Sequence, residues 1–482
     1  MAGSINSLST LQPSPQQVPT ATNYITNFNF LNQYLPDTYE KEFERFGNRS
    51  VSSFLRMVGA EMPSTSDLVK WSEQGRLHTK YVNITTPALA AATTAVFTVN
   101  DTLIPSLAGT TNGIAIRKGQ TVMISVTATP SITNKGIVID VNAATNQFTV
   151  AYYEAGQTAG ISGAVCTVMV YGSEFKKGAS GMVGSLEAES IFKENSPIII
   201  KDKYAVNGSD MAQIGWVEVT TENGATGFLW YLKSEHETRL RFEDYLETAM
   251  LEAVPAAAGS GVATQTTYTD AGKKGSNGVF YSVSNEGNVW AGGYPTTMSD
   301  FDSIVASLDK QGAIEENVLF VNRKFSFAID DFLAQVSGYA GSGSAANAAS
   351  FGLFENDMNM ALNLGFSGFR RGYDFYKSDW KYLNDVTMRG GSTAATGGNI
   401  NGMLVPAGST TVYDQILGKN AKRPFLHVRY RASETEDRRY KTWITGSAGG
   451  AQTSDLDAME VHFLSERCVC TLGVNNFVIF KG

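Results

Sequence analysis

The stretch that most constrains the fold is SEHETRLRFEDYLETAMLEAVP, from Ser234 to Pro255, which has the pattern of one long helix. Ser234 followed three residues later by Glu237 predicts a capping box at its start. Pro255 and the Ala- and Gly-rich run after it predict its end. Apolar residues recur every three or four positions and predict one buried stripe. The stripe consists of Phe242, Tyr245, Leu246, Ala249, Met250 and Ala253.

The predicted solvent-exposed face of this helix carries its charged residues. Glu235 stands four residues before Arg239, the orientation that favours an ion pair on a helix surface. Glu243, Asp244 and Glu247 are neighbours in the same segment, and helix solvation explains them better than a catalytic carboxylate pair.

Length and charge limit the function classes. With 482 residues the chain is longer than one ordinary domain, so we expect two to four. A net charge of −8 argues against a protein that coats nucleic acid, because phosphate binding depends on clustered Lys and Arg. Three cysteines predict no disulfide framework and fit a reducing cytoplasm. The sequence contains no signal-like segment and no apolar run of roughly 18 residues. It therefore predicts neither export nor a membrane span.

The first 35 residues predict an arm that becomes ordered only against a partner. They are poor in charge and rich in Ser, Thr, Gln and Asn, and three prolines prevent a regular helix. Two short amphipathic helices are predicted next, in YEKEFERF and VSSFLRMVG, and a third in SDLVKW at 66–71.

Residues 82–171 predict a small all-β module of barrel or sandwich type. The run NAATNQ predicts a hairpin turn between two of its strands. Helical and mixed sequence flanks the module on both sides, so we interpret it as an insertion into a host domain. Its predicted strands lie at 95–99, 114–125, 136–141, 147–153 and 165–172.

Strands and helices alternate in the rest of the chain. PIIIKD, QIGWVEVTT and GFLWYLK predict strands that lead into the long helix. A helix from Ser299 to Lys310, a buried strand in NVLFVNR and a helix in KFSFAIDDFLAQV predict an α/β unit. Residues 388–410 predict a loop, and the last 70 or so residues are mostly strands, through FLHVRYR, YKTWIT, MEVHFLS and CVCTLGVNNFVIF.

Two residue groups resemble functional sites but fail a test of distance or of sequence context, and a third class of site lacks its motif. His462, Cys468 and Cys470 do not predict a metal site, because six residues of strand separate His462 from Cys468 by roughly 20 Å. The run GSGSAA at 341–346 resembles a nucleotide-binding loop but lacks the strand that must precede it. No GxSxG elbow occurs, and four histidines offer few bases.

One basic stretch between residues 419 and 441 is a candidate for phosphate contact or for contact between subunits. Acidic residues interrupt it, so salt bridges or a solvated strand edge explain it equally well. Its candidate contact residues are Arg429, Arg431, Arg438 and Arg439.

The order of these parts resembles the major capsid protein of tailed double-stranded DNA bacteriophages, the Hong Kong phage type of fold. The segments that carry the resemblance are GSEFKKG (172–178), the run from QIGWV to DYLE (213–247) and INGMLVPAGSTTVYD (400–414). None is a catalytic signature, so the specificity lies in their order. Within this family, the chain looks most similar to the crAss-like phages of gut bacteria.

The resemblance implies an α+β fold with a peripheral and an axial domain. Its parts would be an N-terminal arm with short helices at 1–54, an extended loop (E-loop) at 55–81 and 172–232, an inserted β-barrel-like domain at 82–171, a peripheral domain at 233–300 and 421–482 with the spine helix at 234–254, and an axial domain at 301–420.

The resemblance also implies a structural protein and not an enzyme, with no catalytic, cofactor-binding or metal site. Copies would self-assemble into hexamers and pentamers and close an icosahedral head around packaged DNA. Separate scaffold, portal and decoration proteins would be partners, DNA would touch the inner surface weakly, and no membrane would be involved. The protein would be part of the virion, assembled in the bacterial cytoplasm. Candidate assembly residues are Phe242, Tyr245, Leu246, Met250, Lys176 and Lys177.

Two other functions stay open at this point. One is an encapsulin-like shell of the same fold that encloses a protein cargo. The other is an enzyme or carbohydrate-binding protein that uses the β module.

Overall fold

The structure is a computed structural model, and it describes residues 60–75, 77–86, 93–99, 114–156, 161–184, 190–212, 219–220, 226–227, 230–266, 271–312, 314–339, 368–385, 387–389, 399–414, 419–450 and 452–482. The predicted N-terminal arm, the two short helices before residue 60 and the run at 341–346 lie outside these residues.

Strands dominate the described chain. In order they are β1 Ala60–Ser64, β2 Val69–Gln74, β3 Lys80–Thr85, β4 Thr94–Thr98, β5 Gln120–Val126, β6 Thr133–Asn142, β7 Gln147–Tyr152, β8 Val165–Ser173, β9 Ser190–Asn195, β10 Ile198–Asn207, β11 Val219–Thr220, β12 Thr226–Gly227, β13 Asn288–Ala291, β14 Glu316–Val321, β15 Gly368–Arg371, β16 Tyr373–Asp379, β17 Ile400–Pro406, β18 Ser409–Asp414, β19 Lys419–Pro424, β20 Leu426–Arg431, β21 Lys441–Gly446, β22 Ala458–Thr471 and β23 Val478–Lys481. The helices are α1 Gly208–Met211, α2 Trp230–Glu252, α3 Val279–Glu286, α4 Met298–Asp309, α5 Arg323–Tyr339 and α6 Lys381–Asn384.

The chain forms two compact units. The smaller contains the described residues of Lys201–Glu243 and Thr442–Phe463, and the larger contains those of Val51–Ile200, Asp244–Lys441 and Leu464–Gly482. In the smaller unit, the rings of Phe242 and Phe463 pack 5.6 Å apart. This aromatic contact packs the middle of α2 against the first half of β22.

Six strands of the larger unit close into a barrel, in the order β3-β4-β7-β6-β5-β8. Alternate side chains point inward and fill its interior. Phe97 and Phe148 stack there with centroids 5.4 Å apart. The predicted hairpin is confirmed: a 3₁₀ turn, Ala143–Thr145, and a left-handed Asn146 join β6 to β7. Four predicted strands match β4, β6, β7 and β8, whereas the one predicted from residue 114 begins only at Gln120.

A six-stranded sheet, β13-β23-β17-β14-β16-β15, forms the second core of the larger unit. All seven residues of β17 are buried. Alternate residues of β14 enter opposite clusters: Phe320 packs with residues of α2 and α3, and Leu319 packs with residues of α4 and α5. Helices therefore cover both faces, which is why VLFV at 318–321 is a continuous apolar run. This sheet confirms the predicted strand in NVLFVNR and the two helices beside it.

A buried ion pair joins α5 to β16. Lys377 Nζ lies 2.5 Å from Asp330 Oδ1, and each side chain is 9% exposed. Asp330→Ala is expected to lower the free energy of unfolding by about 3–5 kcal/mol, because it leaves the lysine charge buried without its partner. Urea titration measures this loss, and the double variant Asp330→Leu/Lys377→Met should recover most of it.

A solvent-exposed ion pair nearby provides the control. Arg370 Nε lies 3.1 Å from Asp374 Oδ1, with the arginine side chain 76% exposed. Asp374→Ala is expected to cost less than about 1 kcal/mol. Equal losses in Asp330→Ala and Asp374→Ala would contradict this account of Lys377.

The long helix begins one turn earlier than predicted. α2 starts at Trp230, and the carbonyl of Ser234 already accepts a hydrogen bond from the Thr238 hydroxyl at 2.9 Å. Ser234 is therefore inside the helix, so the predicted capping box is wrong. The strand predicted in GFLWYLK is wrong over Trp230–Lys233, which are helical. Aromatic residues favour strands only weakly and cost less than about 1 kcal/mol each in a helix. The predicted ion pair is present, with Arg239 Nη2 3.6 Å from Glu235 Oε1.

Three other segments differ from prediction. SDLVKW does not form a helix, because it leads into strand β2, whose residues alternate between half-buried and exposed. The predicted loop at 388–410 contains β17, a central strand of the large sheet. MEVHFLS and the first four residues of CVCTLGVNNFVIF lie in one continuous strand, β22, and the end of the latter segment forms β23. In each case the local sequence pattern of a short segment is ambiguous, and pairing with residues distant in sequence determines its secondary structure.

Candidate assembly surfaces

Strands β2 and β9 form a two-stranded antiparallel ribbon, paired from Val69 with Asn195 to Gln74 with Ser190. Among the described strands, neither pairs with a third. Phe192 is 73% exposed on it and Ile191 is 49% exposed. An isolated two-stranded ribbon is marginally stable in water, and exposed apolar side chains on it are typical of a surface that a partner covers.

Hydrogen bonds at Asn195 anchor one end of the ribbon. The buried Asn195 amide donates to the carbonyls of Val469 at 2.7 Å and Asn277 at 3.0 Å. Its oxygen accepts from Ser276 Oγ at 2.9 Å and from the Asn277 N–H at 2.8 Å. Glu73 on the other strand accepts from the Gly473 N–H at 2.8 Å. The root of the ribbon is therefore fixed, while Phe192 remains exposed.

A pocket of about 290 Å³ lies between the ribbon and α3. Three rings, Trp71, Phe192 and Tyr281, contribute to its lining. An ion pair also borders it, with Lys193 Nζ 2.8 Å from Glu286 Oε2. The other seven lining residues are polar or charged, so the pocket combines ring surfaces with many hydrogen-bonding groups.

The predicted basic stretch is paired with carboxylates of the same chain. Arg431 lies 2.5 Å from Asp67 and 3.2 Å from Glu466. Arg438 Nε lies 2.8 Å from Glu466 Oε2. These contacts hold the turn after β1 against β20 and β22.

Glu61 is the second acidic centre of this cluster. It pairs with Arg439 and, at 3.2 Å, with the buried Arg467. Burial lowers the pKa of Arg467, and the Glu61 carboxylate opposes that effect. Arg429 donates to the carbonyl of Pro63 at 3.2 Å. All four arginines predicted from the sequence thus make contacts inside the chain, and a role in contact with phosphate or another subunit stays a prediction.

Acid is expected to weaken this cluster at Asp67. The hydrogen bond from Arg431, with the charges of Lys274 and Arg431, holds the pKa of Asp67 below its usual range. A lowered pKa in the folded state stabilises the fold above the ordinary carboxyl pKa, and that contribution disappears as pH falls through the lowered pKa. Asp67→Asn should therefore show a smaller drop in Tm between pH 7 and pH about 3 than the parent, measured by differential scanning calorimetry.

The control for this pH effect is Asp140→Asn on the barrel. Asp140 is exposed, and no ion pair is found for it within the described part of the chain. The Tm of Asp140→Asn should fall between pH 7 and pH about 3 by as much as the Tm of the parent. A parental drop in Tm for Asp67→Asn would contradict the role given to the Arg431 hydrogen bond.

The long helix buries a different arc from the predicted stripe. Phe242, Leu246 and Met250 are buried as predicted, whereas Tyr245 is 44% exposed. Asp244 and Glu247, predicted to be solvated, are buried. At about 100° per residue, Tyr245 lies roughly opposite the centre of the arc that runs through 242, 246, 250, 247 and 244. The side chains of Phe242, Leu246 and Met250 therefore stabilise the monomer, and Tyr245 alone of the four is left on the surface.

The two predicted assembly lysines lie in the segment after the barrel. Lys176 and Lys177 are exposed, in a turn closed by the Ala179 N–H and the Lys176 carbonyl at 3.1 Å and followed by Gly178 at φ 77°. Among the described residues, no ion pair joins either lysine to the arginine cluster. Their role in assembly stays a prediction.

The residue patterns predicted a helix in SDLVKW and did not predict the pocket or the anchor Asn195, although both strands of the ribbon lie within the E-loop ranges 55–81 and 172–232 that the resemblance implies. Alternation of larger and polar residues in VKWSEQ was the available signal for β2. In the described ranges no helix is long and apolar enough to cross a membrane. Within those same ranges no group of three His, Cys, Asp or Glu side chains is placed to hold a metal ion.

No family model matches the chain, and no curated protein matches it. Among solved structures, the chain is similar to one from Mycobacterium phage Ogopogo, at 8% identity and a TM-score of 0.39 over 95% of this chain and 99% of that one. It is similar to a chain of the bacteriophage PhiM1 mature capsid, at 9% identity and a TM-score of 0.31 over 64% and 78%. It is also similar to the SrpI encapsulin of Synechococcus elongatus, at 11% identity and a TM-score of 0.30 over 61% and 76%.

Proposed function

We propose that this chain is a capsid protein that self-assembles through its β2–β9 ribbon into hexamers and pentamers of an icosahedral phage head. The observation that carries the proposal is the 73% exposure of Phe192 on a ribbon of only two strands. Burial of one such side chain contributes about 1.5–3 kcal/mol, and a shell repeats that contact at every subunit. A second copy of the chain is the partner that a closed shell always supplies.

The sequence resemblance supports the assignment of parts. In this proposal the ribbon belongs to the E-loop, α2 is the spine helix, the closed barrel is an inserted domain, and residues 1–54 are an arm that lies on neighbouring subunits. The shell would enclose double-stranded DNA, with separate scaffold, portal and decoration proteins as partners. A place among the crAss-like phages rests on the sequence resemblance alone.

Electron microscopy of the purified full-length chain tests this proposal, with ionic strength and crowding agent varied. Rings, sheets or closed shells are the expected result. Particles purified from producing cells should contain nuclease-protected DNA, whereas an enzyme cargo without DNA would favour an encapsulin-like shell. Monomers under all conditions, together with cell lysates that lack particles containing this chain, would contradict the proposal.

A further inference from the structure

The outer edge of strand β9 is open and lies beside the pocket. β9 pairs with β2, and among the described strands it has no second neighbour. The Asn277 side-chain amide donates to the Glu194 carbonyl at 3.0 Å, so this carbonyl points away from β2. Backbone groups of an antiparallel strand alternate in direction every second residue, so those of Phe192 also point to the open edge. An edge of this kind is a template for one more strand.

The pocket of about 290 Å³ beside this edge has room for a large side chain. Trp71 of β2 and Tyr281 of α3 line it with aromatic rings. Ser282 and Asn285 add hydroxyl and amide groups. A ring that enters can pack on the aromatic faces, while the polar lining can bond to the main chain that carries it.

The charged residues at this edge are paired with each other. Lys193 Nζ lies 2.8 Å from Glu286 Oε2, and Lys70 Nζ lies 2.9 Å from Glu194 Oε2. An uncharged occupant leaves both pairs intact, whereas a charged one would compete for a partner in one of them. The edge therefore favours an extended segment without charge.

The N-terminal part of the sequence contains a segment with these properties. The first 36 residues include no Asp, Glu, Lys or Arg. Within them, NYITNFNFL at 23–31 alternates between polar and aromatic residues in its second half. In an extended chain Phe28 and Phe30 fall on one face, and Asn27 and Asn29 fall on the other. The segment thus offers two rings on one side and no charge.

The connection to the fold is long enough for this segment to reach another copy. Residues 32–59, 28 in number, separate it from Ala60, where β1 begins. Fully extended, they span roughly 100 Å at about 3.3–3.6 Å per residue. In the proposed shell another copy stands beside every ribbon. Tethering also raises the local concentration of the segment, which compensates for the small area of one strand.

We propose that segment 23–31 of a second copy adds as a third strand to the β9 edge and inserts Phe28 or Phe30 between Trp71 and Tyr281. This inference rests on the proposed shell and names the partner of the ribbon within it. Main-chain hydrogen bonds at the edge give affinity, and the ring in the pocket gives specificity. A third strand also turns a marginal two-stranded ribbon into a sheet that is stable in water.

The test places a photoreactive residue in the pocket of the full-length chain. Tyr281 is replaced by p-benzoylphenylalanine, and particles are assembled from equal amounts of nitrogen-15-labelled and unlabelled copies. After irradiation, peptide mass spectrometry identifies the cross-links. They are expected to join position 281 to residues 23–31, including links between labelled and unlabelled copies. The same replacement at Phe327, which is 57% exposed on α5, is the matched control and should give no link to this segment.

Electron micrographs of the same samples separate this inference from the proposed function. Particles in which position 281 links to other segments, to residues 23–31 of the same copy alone, or to nothing would overturn the inference and leave the shell standing. A sample without particles would contradict the proposed function itself, and the inference would fall with it.

Two double variants in the chain with the photoreactive residue at position 281 test the role of the rings. Phe28→Ala/Phe30→Ala should lower the yield of these cross-links about tenfold, because it removes the side chains that fill the pocket. Asn27→Ala/Asn29→Ala changes the opposite face of the same segment and should keep the parental yield. Equal yields from the two double variants would refute the insertion of a ring.

Discussion

Phe242→Ala is expected to lower the free energy of unfolding by about 3–5 kcal/mol. Phe242 is fully buried, and its ring packs 5.6 Å from that of Phe463. Truncation removes this contact and leaves a cavity that the strand β22 cannot fill by moving a single side chain. Urea unfolding followed by circular dichroism measures the change.

Tyr245→Ala is the control on the same helix. Tyr245 is 44% exposed, so its truncation is expected to change stability by less than about 0.5 kcal/mol. Equal losses for Phe242→Ala and Tyr245→Ala would contradict the buried arc assigned to α2. Because Phe242 and Leu246 are core residues, an acidic substitution at either would abolish assembly by unfolding the chain. Such a variant is no test of an interface.

The barrel and the large sheet were predictable because their segments carry strong, repeated patterns. The sequence patterns of β7 and β8 predict strands, and the residues between β6 and β7 are those typical of a hairpin turn. The apolar run of β14 is long enough to require burial on both faces. These elements are specified locally, by residues close in sequence.

The candidate surfaces were harder to predict because their contacts join distant residues. Arg431 and Arg439 of the basic stretch pair with Asp67 and Glu61, more than 350 positions earlier. The stripe on α2 was placed from apolar spacing alone, whereas the fold buries Asp244 and Glu247 and exposes Tyr245. Only the three-dimensional arrangement identifies which arc of a helix is covered.

Phe192→Asp is expected to abolish shell formation and leave the monomer folded. Phe192 is 73% exposed, so the monomer gains little from its ring, and the root of the ribbon is held by Asn195 and Glu73. A carboxylate at this position would have to lose its hydration wherever a second copy covers the ribbon, at a cost of several kcal/mol per contact. Repeated at every subunit, this cost should remove closed particles from electron micrographs, with the Tm of the monomer within about 2 °C of the parent.

Phe327→Asp separates this effect from a general effect of added charge. Phe327 is a 57% exposed phenylalanine on α5, away from the ribbon in sequence and in sheet membership. The Phe327→Asp variant adds the same charge and should form shells with the parental yield. Normal shells from Phe192→Asp would remove the ribbon from the assembly contact. Loss of shells in both variants would show that charge, and not the ribbon, controls association. Loss in Phe192→Asp alone assigns the contact to the β2–β9 ribbon, because the two variants differ only in the place of one carboxylate.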